Sequence, residues 1–141
     1  MPLPNIESTF TVSVKGETTG HQYLGPFTVK CILTKREEFL SDIRRRDLLG
    51  PAPEDALPSI RNNAYALSQL YVRIADAPAW WRESDFGTGL HDTNVIAEIF
   101  EKSLEAAESW RKRLAAEADK AEAVVKKVAK RAGRDGEPAG E

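Results

Sequence analysis

The residues able to do chemistry are few and scattered. There are two histidines, His21 and His91, and one cysteine, Cys31. His91 precedes Asp92, a pair that could share a proton or approach a cation. Neither histidine has a second ligand at helical spacing, and no H-E-x-x-H run occurs, so the common zinc sites lack their donors. Asp76, Glu83, Asp85 and Asp92 bring four carboxylates close together along the chain. Such groups can do acid–base work or hold a divalent cation. Their spacing does not match a calcium loop, and solvation on a surface turn is the simpler reading. Gly87-Thr88-Gly89, in the same stretch, is no phosphate cradle: there is neither a GxGxxG nor a glycine-rich run ending in Lys-Ser/Thr. A G-x-S-x-G nucleophile turn is also absent. Cys31 falls on the apolar face of a predicted strand, where burial is favoured over nucleophilic use. The sequence offers no catalytic set, no cofactor cradle and no metal set. The expectation is a protein that is not an enzyme.

The elements that would position these residues are clearer. Thr9–Val14 alternates, with Phe10, Val12 and Val14 on one face, and Phe27–Leu33 alternates again with Phe27, Val29, Cys31 and Leu33. Alternation with β-branched and aromatic residues predicts two strands, joined by the turn-rich residues 15–20 as a hairpin. Tyr23-Leu24-Gly25-Pro26 interrupts the second run. Two strands alone are marginal, so they must pack on helices or pair with another chain. Thr34-Lys35-Arg36-Glu37 is a capping box and predicts a helix from Lys35, ended by Gly50-Pro51, with Phe39, Leu40 and Ile43 as its apolar face. Arg44-Arg45-Arg46 suits the C-terminal dipole and a solvated face; no aromatic is interleaved, as a single-strand nucleic-acid binder would want. Residues 51–58 form a linker or a short helical turn. A second helix is predicted over 59–76, because Ile60, Ala64, Leu67, Tyr71 and Ile74 recur at helical spacing with Leu70 beside them. Pro78 ends it. Asp92 or Thr93 is positioned as the cap of a last helix. Ile96, Phe100, Ser103, Ala107, Trp110 and Leu114 form its stripe, and Ala118, Ala121, Val125 and Val128 continue a thinner one. The helix is predicted to reach about residue 131, with a projecting distal half and a disordered tail from Gly133.

The chain therefore reads as α+β: an N-terminal β-hairpin packed on a small helical domain with a long C-terminal helix. Residues 1–33 are the arm and hairpin. Residues 34–114 are a helical core of three helices, with a Trp-Trp turn at 78–92. Residues 115–141 are the projecting helix and tail. Of the adjacent Trp80 and Trp81, one is expected to cap the core and the other to be free for a partner. At 141 residues with 41% hydrophobic and 30% charged content, one domain with a modest core is expected. A net charge of −2 gives no general pull toward nucleic acid, although Lys126, Lys127, Lys130 and Arg131 make the distal helix locally basic. The lone cysteine excludes an intrachain disulfide and suits a reducing cytoplasm. No secretory leader is evident, and no apolar run nears the roughly 20 residues of a membrane span.

Phe27-Thr28-Val29-Lys30, Leu33-Thr34, Arg44 to Gly50, Ala66 to Ile74, Ala77-Pro78-Ala79-Trp80-Trp81, Leu90 to Ile96 and Trp110 together resemble small proteins encoded among the tail genes of tailed bacteriophages, specifically their tail assembly chaperones. The resemblance covers residues 25–114 and rests on scattered positions. It implies a protein of the host cytoplasm that binds the long helical tape measure protein and keeps it soluble until tube subunits polymerise around it. It also implies a homo-oligomer, with no cofactor, no metal and no membrane. Trp80, Trp81, Phe86, Tyr71 and Trp110 are the aromatic side chains suited to partner contact. The competing expectation is a virion structural subunit of the capsid, neck or tail.

Overall fold

The computed structural model describes residue 3 and residues 5–136, and its architecture is α+β. Strands β1 (Glu7–Lys15) and β2 (Gln22–Lys30) form an antiparallel hairpin running from the Glu7–Lys30 pair to the Lys15–Gln22 pair. β1 is longer than its alternating pattern, and β2 is shifted toward the N-terminus: it begins at Gln22 and ends at Lys30, so Cys31 to Leu33, expected in the strand, lie beyond it. β2 runs straight through Tyr23-Leu24-Gly25-Pro26, where an interruption was expected. Pro26 is tolerated because the next strand covers β2 only at Thr28 and Val29. That strand, β3 (Ile74–Asp76), gives the sheet order β1-β2-β3, with a register shift between Thr28 and Val29.

Helix α1 (Lys35–Leu49) starts on the predicted capping box. The Glu37 N–H donates to the Thr34 hydroxyl at 3.2 Å, and the Thr34 N–H donates to the Glu37 carboxylate at 2.9 Å. Glu37 also pairs with Lys30, tying the helix to β2. Hydrogen bonds from Lys30 first, and then from Thr34, hold the Glu37 carboxyl below its ordinary range. The expected apolar face of α1 is not buried. Phe39, Leu40 and Ile43 are all exposed, and the buried contact is Ser41. α1 instead meets the next helix along a polar line, in which Gln69 Nε2 donates to Ser41 Oγ at 3.0 Å and Arg73 Nε donates to Gln69 Oε1 at 3.1 Å.

One short 3-10 turn (Pro53–Asp55) separates α1 from α2 (Pro58–Arg73). The second helix is shorter than expected: Ile74 leaves it to pair with Val29. Ile is at home in a strand, and an open sheet edge outcompeted one more helical turn. The buried side of α2 is also rotated from the expected stripe. Ala64, Ala66, Ser68, Leu70 and Val72 are buried, whereas Ile60 and Tyr71 are exposed. A one-turn helix, α3 (Ala79–Glu83), makes a fourth helix inside the Trp-Trp turn. Helix α4 (Thr93–Gly136) spans 44 residues, on the order of 65 Å. It passes Gly133, so residues 133–136 are helical rather than a tail; residues 137–141 lie outside the described residues.

The core fills the space between one face of the sheet and the helices α2, α3 and α4. Val12, Tyr23 and Phe27 come from the sheet, Ala66 and Leu70 from α2, Trp81 from α3, and Val95, Ile96 and Ile99 from α4. Along α4, burial continues through Ser103, Ala107 and Trp110 and then stops.

Asp92 fixes where α4 begins. It sits just before the helix, yet its carboxylate is directed at the hairpin turn. Oδ1 accepts from the Thr18 N–H at 2.7 Å and the Thr19 N–H at 3.0 Å. Oδ2 accepts from the Thr19 hydroxyl at 2.6 Å and the Tyr23 hydroxyl at 3.2 Å. Asn94 adds a second tie: its Nδ2 donates to the Lys15 carbonyl at 2.9 Å, and its Oδ1 accepts from the Glu17 N–H at 3.0 Å. Gly16 is required here, since a Cβ would sit 2.3 Å from the Asp92 carboxyl. The hydrogen bonds to Asp92, led by the Thr19 hydroxyl, hold its pKa below the ordinary aspartate value against the opposing effect of burial. A depressed folded pKa gives stability that is whole above the unfolded value of about 3.9 and is lost as pH falls through the folded value. Stability should therefore hold from neutral pH to about pH 4 and fall below it. Asp92→Asn should melt lower than the parent at pH 7, with the gap closing in acid. Equal melting temperatures at pH 7 would sink the clamp.

Candidate functional site

The five aromatic side chains expected at a partner surface separate into two groups. Trp81 and Trp110 are 1% and 2% exposed, so neither is available on the surface of the chain. Trp81 packs edge-on to Phe27 at 5.8 Å and lies under Gly87. A Cβ on Gly87 would come within 2.5 Å of the Trp81 ring, and its φ of +93° suits glycine. Trp80 was the alternative free anchor, and it is also in use. It is half-buried, its Nε1 donates to the Leu24 carbonyl at 2.9 Å, and its ring packs edge-on to Tyr23 at 5.0 Å and Phe27 at 5.6 Å. Residues one apart on a helix point about 100° from each other. Both directions meet protein: Trp80 meets Tyr23 and Phe27, and Trp81 meets Phe27 and lies under Gly87.

Tyr71 and Phe86 remain on the surface, about two-fifths exposed at 41% and 39%. Their rings meet edge to face at 5.4 Å. Asp85 and Phe86 both take left-handed backbone angles, with φ of 52° and 55° ahead of Gly87. Non-glycine residues adopt this region at a cost of roughly 1–2 kcal/mol each. The local fold therefore holds Phe86 against Tyr71 under some backbone strain. Arg44 covers Tyr71 with its guanidinium carbon 4.7 Å from the ring centroid, and it lies 4.0 Å from Asp85. Arg45 and Arg46 both pair with Asp42 at 2.9 Å. The arginine run is thus a ring contact and three ion pairs, not an open anion site.

Together Leu40, Tyr71, Val72, Ile74 and Phe86 line an open groove of about 400 Å³, rimmed by Lys30 and Glu37. Along α1 the apolar surface continues from Leu40 to Ile43 at i+3, and Phe39 lies one turn back from Ile43. Phe39 is 68% exposed. These three residues are the apolar face expected of α1, and that face lies on the surface. A clue was present: charged residues fill most other positions of α1, leaving too narrow a stripe to bury a helix. A second recess, of about 350 Å³, lies between α2 and α4 and is lined by Tyr65, Ile96, Phe100 and Leu104.

No reactive constellation forms among the described residues. Asp76 pairs with Arg82 at 2.7 Å, Asp85 faces Arg44, Asp92 is enclosed in the hairpin clamp and Glu83 is exposed, so the four carboxylates do not share one site. No group of three His, Cys, Asp or Glu side chains among the described residues is placed to hold a metal ion. Cys31 is buried, and desolvation raises its thiol pKa despite Arg113 and Arg73 nearby. No helix of the described residues is long and apolar enough to cross a membrane. Comparison with protein-family models, curated proteins and solved structures finds no match to this chain.

The division of the aromatics is testable by denaturation. Trp81→Ala should destabilise the fold by about 3–5 kcal/mol, as large core truncations do. Phe39→Ala and Ile43→Ala should each stay within about 0.5 kcal/mol of the parent. Equal losses at all three positions would refute the assignment of the α1 face to the surface.

Proposed function

We propose that this protein is a non-enzymatic phage assembly factor, a tail assembly chaperone that binds the tape measure protein in the host cytoplasm. The observation that carries this reading is the exposed apolar surface running from Phe39, Leu40 and Ile43 into the Tyr71–Phe86 groove. Contiguous apolar surface of this kind marks a place where another molecule docks. An amphipathic helix lays its apolar face into such a groove, with spaced side chains as anchors. The charges at the rim are already paired, Lys30 with Glu37 and Arg44 with Asp85. Recognition then rests on apolar shape rather than on a charge pattern, which suits a client presenting many similar helical segments. Several self-associated copies would coat one such client, and no cofactor, metal or membrane enters the task.

A virion structural subunit is the second reading, favoured by one feature. β1 and β3 are both edge strands, and open edges pair readily with neighbouring chains in a lattice. The two readings differ in where the protein ends up: a structural subunit is found in purified particles, and a chaperone is not.

Co-expression with the tape measure protein of the same gene cluster should yield a soluble complex that co-purifies. Tyr71→Ala and Phe86→Ala should each weaken it by about 30-fold, equivalent to about 2 kcal/mol at a central anchor. Recovery only with capsid or tube proteins, and never with the tape measure protein, would overturn the assignment.

A further inference from the structure

Beyond Leu114, α4 leaves the core: no described residue from 115 to 132 is buried, and Val124, Val125 and Val128 are about 60% exposed. The exposed segment is not uniformly polar. Leu114, Ala118, Ala121, Val125, Val128 and Ala132 recur at alternating steps of four and three. That alternation is the seam of a two-helix coiled coil. Charge along the segment is divided. Glu117, Asp119 and Glu122 precede Lys126, Lys127, Lys130 and Arg131, with Lys120 the one cation in the first part.

We propose that the distal half of α4 pairs antiparallel with the same segment of a second copy of this chain. The charge division supplies the first argument. A two-fold axis near residue 123 lays the acidic part of each helix along the basic part of the other. In heptad terms Glu117 then faces Arg131 of the second copy, and symmetry repeats the pair. A parallel arrangement sets Glu117 against Glu122 of the second copy on both sides, which is repulsive. Glu122 does come near its own mate at the axis, but Lys126 lies 3.2 Å away in each chain and offsets that charge. Glu117 is held only by an exposed pair with Lys120 at 3.8 Å, which is worth little and is readily exchanged.

Side-chain volume supplies the second argument. The antiparallel register places Leu114 opposite Ala132 of the second copy, Ala118 opposite Val128, and Ala121 opposite Val125. Every layer then joins a large residue to a small one, as close packing prefers. The parallel register stacks alanine on alanine three times, at positions 118, 121 and 132, and leaves those layers open. Length agrees as well. Leu114 to Ala132 spans roughly 27 Å, and the paired zone stops where the core begins. An alanine-rich seam lets the helix axes approach closely. The expected dimer is modest in strength and reversible in the micromolar range.

This pairing deepens the self-association included in the proposed function but rests on α4 alone. Its test contains no client, so it fails or succeeds separately from the chaperone assignment. Sedimentation of the full chain at tens of micromolar should show a monomer–dimer equilibrium. Glu117→Arg should weaken the dimer at least about tenfold through two like-charge contacts, and Glu117→Arg with Arg131→Glu should restore it. In a Cys31→Ser background, oxidation of mixed Ala118→Cys and Val128→Cys chains should link the two variants to each other. Links within the Ala118→Cys population alone would establish a parallel pair and overturn the proposal. A chain that stays monomeric, or whose basic segment instead captures nucleic acid or an acidic protein as a monomer, would overturn it too. A dimer indifferent to both charge variants would place the interface elsewhere.

Discussion

A single carboxylate connects the two halves of this fold. Asp92 accepts two backbone N–H groups and a hydroxyl from the hairpin turn, 73 and 74 residues earlier in the chain, and a second hydroxyl from Tyr23, 69 residues earlier. No cation among the described residues pairs with it. Its charge is stabilised by donors alone, together with its place at the positive end of a long helix. Each donor would otherwise need water, and the site is closed to water. The clamp therefore sets the direction in which α4 departs, and that direction decides which face of α4 meets Val12, Tyr23 and Phe27. The same geometry leaves no room for a side chain at position 16.

The Trp80–Trp81 pair closes the opposite side of that core. Phe27 receives the edges of both indoles and stacks with Phe10 at 5.8 Å, so one sheet residue organises three aromatic contacts. Trp81 Nε1 is buried with no hydrogen-bond partner among the described residues. An unmade bond of this kind costs on the order of 1–3 kcal/mol. That cost is tolerated because the ring itself removes a large apolar area from water. With the tryptophans engaged, the apolar groups left facing outward include those of α1, α2 and α4 and Phe86 in the turn after α3. The surface available to a partner is thus a consequence of how the core was filled.

The α+β architecture, the capping box at Thr34, the hairpin and the α4 stripe were legible in the sequence because each rests on local periodicity or capping. The failures share a different cause. Ile74 fits a helical stripe and an edge strand equally well, and only the presence of β2 beside it decides between them. Phe39, Leu40 and Ile43 form a proper helical face, yet burying them requires an element to lie against them, and none of the described elements does. Tyr71 and Phe86 were correctly singled out as aromatic, but their meeting depends on left-handed angles at Asp85 and Phe86 that no residue type there demands. Trp80 and Trp81 were expected to differ, one capping the core and the other free for a partner. Trp81 is buried and Trp80 is half-buried, but the Trp80 indole is already bonded to the Leu24 carbonyl of β2.

The two unpartnered surfaces differ in chemistry, and the difference bears on how they would work together. The groove beside α1 is aromatic at its centre and electrically quiet at its rim, which suits varied helical clients. The seam of α4 is small-residue and charge-divided, which suits one partner in one register. A surface of the first kind gains from multiplicity, since several weak contacts on one client add through effective concentration. A surface of the second kind provides that multiplicity by joining copies. Because α4 carries its seam well beyond Trp110, the last buried position, pairing there leaves the groove uncovered. On the proposed reading, self-association and client capture would then use different side chains of the same chain.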